Sequence, residues 1–283
     1  MGIVYAIASL SFAGVNDMVF KKYGQKRRPV GLFFCFIGVI WFLFFFLLGA
    51  ARHSLQMTLP TLVIGSIAGI FSIAANIALV EGMKKTGAAI GATIYRLNLV
   101  FVAVMAFMFL RESITTMKII ALVFSLAAIS LFSVPEKGAG NKKIAYQFII
   151  LLVAASILRA CMGISYKIAS NYAVSNELFL AVGGIWWAAA GILYYTLRER
   201  AMSCDRSIIR YSLISGVLIC GIVFFLKLAV NTADASVAVT ISQFSFLITA
   251  PLVVLFLKEH FSVMKAAGMA AAVICIILFS LPR

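Results

Sequence analysis

The sequence predicts an all-α integral membrane protein with ten transmembrane helices arranged as two inverted five-helix repeats. Three observations carry that expectation. Hydrophobic residues fill 64% of the 283 positions and charged residues 12%, about half the charged share of a soluble domain, and mean hydropathy is +1.10. The apolar residues form ten runs, each close to the ~20 residues a helix needs to cross the hydrocarbon of a bilayer. A shift of 147 residues also lays one long segment of the chain on another. No soluble core of this size hides so much apolar side chain, so lipid is the expected solvent.

The first run, 2–20, leads into Asn16, Asp17 and the basic cluster Lys21, Lys22, Lys26, Arg27 and Arg28. It has no basic segment before it and no small-residue cleavage site, so it reads as a first span and not a removed signal peptide. Runs at 30–50, 61–82, 87–110 and 115–134 follow. Gly65/Gly69 and Gly87/Gly91 are small-xxx-small pairs that let helices approach closely. The join VPEKGAGNKK precedes runs at 145–167, 175–197, 208–230, 235–257 and 262–281. Trp186, Trp187, Tyr194 and Tyr195 in the seventh run read as a lipid-facing aromatic belt. All ten runs are apolar on every face, unlike the alternating strands of a barrel. The joins reach only about ten residues, too short for an attached soluble domain.

Basic residues set the expected orientation. Joins after the odd-numbered runs hold 16 of the 24 Lys and Arg, the opposite side holds Arg52, Arg111, Lys118, Lys167 and Arg283, and Arg96, Arg159 and Lys227 lie inside runs. The 16-residue side is expected in the cytoplasm, with both termini outside. The +15 charge is then a topology signal, because no join is long enough to fold a basic face for nucleic acid. Cys35, Cys161, Cys204, Cys220 and Cys275 are odd in number and show no close pairing. Neither a disulfide framework nor a metal site is expected.

Under the 147-residue shift, Ala106–Pro135 falls on Val253–Pro282. Leu110-Arg111-Glu112 aligns with Leu257-Lys258-Glu259, and Lys118 with Lys265. The expected halves are 1–136 and 144–283. Five spans per half make the halves enter the membrane in opposite directions, as in secondary transporters that work by alternating access.

Gly14-x-Asn16-x-x-x-x-Lys21, with Ala13 where a Trp is typical, resembles the signature of the drug/metabolite transporter superfamily, EamA-type branch. Lys167 closes the sixth span at the equivalent place, and Thr86–Glu112 and Ala233–Glu259, each ending in FL-[RK]-E, resemble that family's fourth and ninth helices. The resemblance implies ten spans as five plus five. It also implies a carrier of small molecules, among them amino acids, nucleotide-type metabolites, amines, sugars and drugs. The basic count departs from many relatives, which are thought to keep both termini in the cytoplasm.

Ionisable side chains at membrane depth are costly and face a cavity or a partner. Arg96 lies about ten residues into the fourth run, and its mate under the shift is Gln243; Thr93 maps likewise on Thr240. The pairs Thr93/Arg96 and Thr240/Gln243 are expected on facing helix surfaces as a substrate site, the Arg offering a fork for a carboxylate or phosphate. Arg159, in the middle of the sixth run, and the amides of Asn16 and Asn98 are further candidates. Glu81 is read either as a proton- or ion-coupling acid or as the structural partner of Arg96 or Lys227. Asp17 is expected at the membrane interface, and Tyr95 in packing.

The expected function is a secondary transporter of a small anionic or zwitterionic metabolite, such as an amino acid, multi-pass in the inner cell membrane. The partners expected are the substrate, the bilayer and a coupling proton or ion, with no cofactor and no nucleic acid, in a monomer or homodimer. An exporter of amphipathic cations using Glu81 is the alternative; a membrane protein without transport activity is the third reading. An enzyme is not expected. His53 and His260 sit in joins, no two acids share a helix face at catalytic spacing, and no Walker or dinucleotide motif is present.

Overall fold

The structure is a computed structural model that describes residues 1–86, 91, 94–132, 146–172, 174–200, 202, 205–257 and 262–280. Every regular element among them is helical. In chain order they are α1 (Gly2–Gly24), α2 (Val30–Ala51), α3 (Leu59–Thr86), α4 (Asn98–Leu110), α5 (Thr116–Phe132), α6 (Tyr146–Ser170), α7 (Asn176–Tyr194), α8 (Arg206–Thr232), α9 (Ala235–Ser242), α10 (Phe246–Leu257) and α11 (Val263–Ser280). A π turn, Tyr195–Glu199, extends α7, and a 3-10 turn, Gln243–Ser245, joins α9 to α10. Among the described residues, eight helical stretches are long and apolar enough to cross a membrane, and two shorter apolar ones, Ile94–Leu110 and Thr116–Leu131, accompany them. Leu47, Phe109 and Leu255 are exposed on the bundle surface, which is a stable arrangement only against lipid.

The helix starts follow from local chemistry. Pro29 precedes α2, and the Ser175 hydroxyl accepts the Leu178 N–H at 3.2 Å to cap α7. Long-range carboxylates do the same for other helices. Glu199, buried at the end of the π turn, accepts the Gly31 N–H at 2.8 Å in the first turn of α2.

The most extensive helix contacts pair α2 with α7, α3 with α6, α1 with α8, and α5 with α11. Glycines make the α2–α7 seam. A Cβ on Gly31 would lie 2.7 Å from the Gly191 carbonyl oxygen, and one on Gly38 would lie 2.7 Å from that of Gly184. Contact positions rise along α2 as they fall along α7, so the two helices run antiparallel. Helices α1 and α8 are antiparallel too: Gly2 meets Ala233, the Ser9 hydroxyl donates to the Ile222 carbonyl at 2.9 Å, and Tyr23 meets Tyr211 edge-on. Along α3 and α7 the positions rise together, Gly65 against Phe179 and Val182, Gly69 against Gly183. Small residues at these crossings replace hydrophobic driving force with close packing, the usual way helices associate in lipid.

The fourth and ninth runs depart from the expected unbroken helices. The chain is helical at 94–96, turns at Leu97 (φ −62°, ψ −7°) and resumes as α4. In the ninth run Phe244 sits in non-helical backbone (φ −84°, ψ 26°) between α9 and α10. Leu97 and Phe244 are 147 residues apart. An unbroken apolar run shows that a segment can cross lipid but not that its hydrogen-bond ladder is continuous. Backbone breaks are tolerated at membrane depth where protein or a cavity surrounds them.

Two aromatic residues also depart from expectation. Trp186 is partly exposed, as a lipid belt requires, but Trp187 is 3% exposed and donates its indole N–H to the Ser72 hydroxyl at 3.1 Å. Tyr194 donates to Glu81. Neighbouring helix positions point about 100° apart, so one side chain faces lipid while the next enters the core.

Candidate substrate site at two helix breaks

The two breaks and the second half of α1 come together. Gly14 makes this approach possible: a Cβ there would lie 2.7 Å from the Ser245 carbonyl oxygen and 2.5 Å from Ile248 Cβ. With α1 this close, the Thr249 hydroxyl reaches the Gly14 carbonyl at 3.0 Å.

Arg96, immediately before the Leu97 turn, extends into this junction. Its Nη2 lies 3.7 Å from Asp17 Oδ2 and donates to the Ser245 hydroxyl at 3.3 Å. Ser245 in turn donates to Asp17 Oδ2 at 2.6 Å, and Thr249 approaches the same oxygen at 3.3 Å. The guanidinium also lies 5.0 Å over the Phe246 ring. The result is a network of one cation, one anion and two hydroxyls spanning α1, the residues before α4, and the 3-10 turn with α10. The Asp17 side chain is 42% exposed against 16% for Arg96, so the carboxylate side of the pair is the open one. Asp17, expected at the interface, is thus a central member; its role depends on α1 meeting the ninth-run break, which no local pattern encodes.

The other candidates divide. Gln243 is in the 3-10 turn and 9% exposed, but Ser245 is the residue that meets Arg96. The break accounts for the difference, because an i, i+3 face requires continuous helix. Thr240 is fully buried and donates back to the Ser236 carbonyl at 2.6 Å within its own helix. Thr93 lies outside the described residues, as do Gly87, Cys204 and Glu259. Asn16 Oδ1 and both polar atoms of Asn98 are buried with no hydrogen-bond partner among the described residues. Buried amides in that state cost about 1–3 kcal/mol each, and Asn98 sits one residue beyond the Leu97 turn. Arg159 lies on α6, one turn before Gly163, whose Cα faces Val239 of α9 and Val102 of α4. Glu81 does not pair with Arg96 or Lys227. Arg96 pairs with Asp17, and Lys227, 1% exposed, donates to the Tyr166 carbonyl at 2.8 Å and lies over the Phe179 ring.

One end of the bundle is tied across the sequence halves. Glu112, from the FL-[RK]-E motif, accepts the Ala235 N–H at 2.5 Å, the Ser236 N–H at 3.3 Å and the Ser236 hydroxyl at 2.6 Å, capping α9. Lys118 bridges Glu112 (3.8 Å) and Asp234 (2.8 Å). Lys167 donates to the Val230 and Ala233 carbonyls at 2.7 and 2.8 Å, satisfying the C-terminus of α8. The sequence flagged Glu112 and Lys167 as motif members but gave them no structural role.

Residues 1–134 match the model of the EamA-like transporter family. That matched segment is of the drug/metabolite transporter superfamily that the motifs resemble, a family of membrane transporters. No curated protein matches the sequence. A solved structure described only as the crystal structure of a protein superimposes with a TM-score of 0.84 over 99% of this chain and 96% of its own, at 15% identity. That likeness is one of fold.

Proposed function

We propose that this chain is a secondary transporter of a small anionic or zwitterionic metabolite, working by alternating access between two inverted five-helix repeats, 1–136 and 144–283, that span the inner cell membrane ten times. The observation that carries the reading is the pair of helix breaks at Leu97 and Phe244, at the offset that aligns the sequence halves, with Arg96, Asp17 and Ser245 joined between them. Discontinuous helices meeting at a pseudo-two-fold axis are where such carriers bind substrate. The helix pairing supports the repeat: exchanging each helix for its counterpart in the other half turns the α3–α6 pair into α8–α1 and leaves α2–α7 and α5–α11 unchanged.

Alternating access also gives Glu112 of the FL-[RK]-E motif a role, as the cap of α9 at one end of the bundle. Thr93, Gln243, Thr240, Arg159, Asn16 and Asn98 complete the proposed substrate-binding set, with Glu81 as the proton-coupling acid.

The test is flux. Liposomes containing the purified chain are incubated with a defined mixture of amino acids, organic acids, phosphorylated sugars, nucleosides and amines, and trapped solutes are read by mass spectrometry. Enrichment of an anionic or zwitterionic member over protein-free liposomes is expected. No enrichment, or enrichment of amines alone, overturns the reading.

A further inference from the structure

Arg159 differs from the other described cations that sit within or across the bundle. Arg96 has Asp17 and Ser245, Lys227 a carbonyl and a ring, Lys118 two carboxylates, and Lys167 two carbonyls. Arg159 lies midway along α6, and among the described residues its guanidinium makes one hydrogen bond, from Nη1 to the Met162 thioether sulfur at 3.4 Å. Sulfur is a weak acceptor for a group with five N–H donors, and an under-satisfied charge at this depth is costly. Gly163, one turn further along the same helix, packs against Val239 of α9 and Val102 of α4, the helices that flank the two breaks. No carboxylate among the described residues comes within 4.0 Å of Arg159.

Among the described residues, the charges of Asp17, Arg96 and Arg159 do not balance without a ligand. Asp17 and Arg96 neutralise one another as an ion pair, and Arg159 leaves the group with one surplus positive charge. A zwitterion adds no net charge and would leave that surplus; a cation would enlarge it. A single carboxylate cancels it and supplies the oxygen acceptors that the guanidinium fork lacks. Arg96 cannot take the same part at no cost, since binding there would strip Asp17 of its partner.

We infer that Arg159, not Arg96, holds the anionic group of the cargo, and that the cargo is a small organic monoanion of the carboxylate class. This rests on the transport reading and narrows it from anion or zwitterion to monoanion.

The experiment uses purified chain in nanodiscs and three probes that share a 3-methylbutyl chain: 4-methylpentanoate, leucine and 3-methylbutylamine. Acetate and lactate are added as smaller monoanions, with ionic strength held by sodium chloride. Thermal unfolding is followed by intrinsic tryptophan fluorescence. At least one carboxylate should stabilise the wild-type chain, leucine and the amine should not, and Arg159→Met should weaken that carboxylate's binding about ten- to hundredfold. Without ligand, Arg159→Met should unfold at or above the wild-type temperature, because it removes a charge that no described carboxylate compensates. A destabilised Arg159→Met, stabilisation by leucine or the amine in place of the carboxylates, or no stabilisation by any carboxylate would each overturn the inference. Flux into liposomes separates it from the broader reading: a chain that binds carboxylates but carries none ends the transport reading alone, and one that carries zwitterions without binding carboxylates ends this inference alone.

Discussion

Gly14 of α1 passes the Ser245 carbonyl so closely that a single added methyl group would lie 2.7 Å from its oxygen. The contact is to backbone, which cannot swing aside. Gly14→Ala should therefore push α1 off the 3-10 turn, at a cost of about 1–3 kcal/mol for overpacking, and separate Asp17 from Ser245. Gly24→Ala, with nothing within 4 Å of its would-be Cβ, is the control. A lower unfolding temperature and lost flux for the first, with neither for the second, are the expected results.

The Asp17–Arg96 pair should show strong coupling. Asp17→Asn or Arg96→Gln alone leaves one charge uncompensated, costing about 1–3 kcal/mol after allowance for the exposure of Asp17. The double variant removes both charges and should recover most of that stability while leaving transport impaired. Additive losses in unfolding free energy would show that the two groups do not interact.

Glu112→Ala should loosen the end of the bundle that it closes. The change removes a three-bond cap from α9, worth about 0.5–2 kcal/mol, and leaves Lys118 with Asp234. A cysteine placed at the buried Thr240 should react faster with a membrane-impermeant maleimide added from that end. An unchanged labelling rate would separate Glu112 from gating.

Glu81 accepts a hydrogen bond from Tyr194, so its carboxylate is held at the α3–α7 contact. As the coupling acid, Glu81→Gln should abolish accumulation driven by a pH gradient and leave substrate exchange intact. Aggregation on size exclusion would instead make Glu81 a structural group.

The 16-to-5 division of basic residues predicts termini outside the cytoplasm. A reporter active only in the cytoplasm, fused after Arg283, should stay silent. Activity of that fusion would reverse the orientation.

Much of the fold was legible because crossing lipid is a local requirement. Each run of about 20 apolar residues had to become a helix, since only a helix satisfies its own backbone where no water is present. The positions of α1 to α3, α5 to α8 and α11 therefore agree with the runs to within a few residues. Arg96 was legible for a related reason, because an arginine inside an apolar run stands out in a linear reading.

Which residue meets Arg96 was decided only by tertiary structure. Asp17, Arg96 and Ser245 come from three segments, the first and last 228 positions apart. Helices apolar on every face carry no amphipathic stripe to say which side turns inward. The breaks at Leu97 and Phe244 were equally hidden, because apolar composition is the same on both sides of each. The sequence alone determined that this chain lies in a membrane as a bundle of helices with a few buried charges. Packing of the bundle decided which of those charges are compensated and left Arg159 as the exception among the described residues, because electrostatic pairing depends on distances of a few ångströms that only the assembled bundle sets.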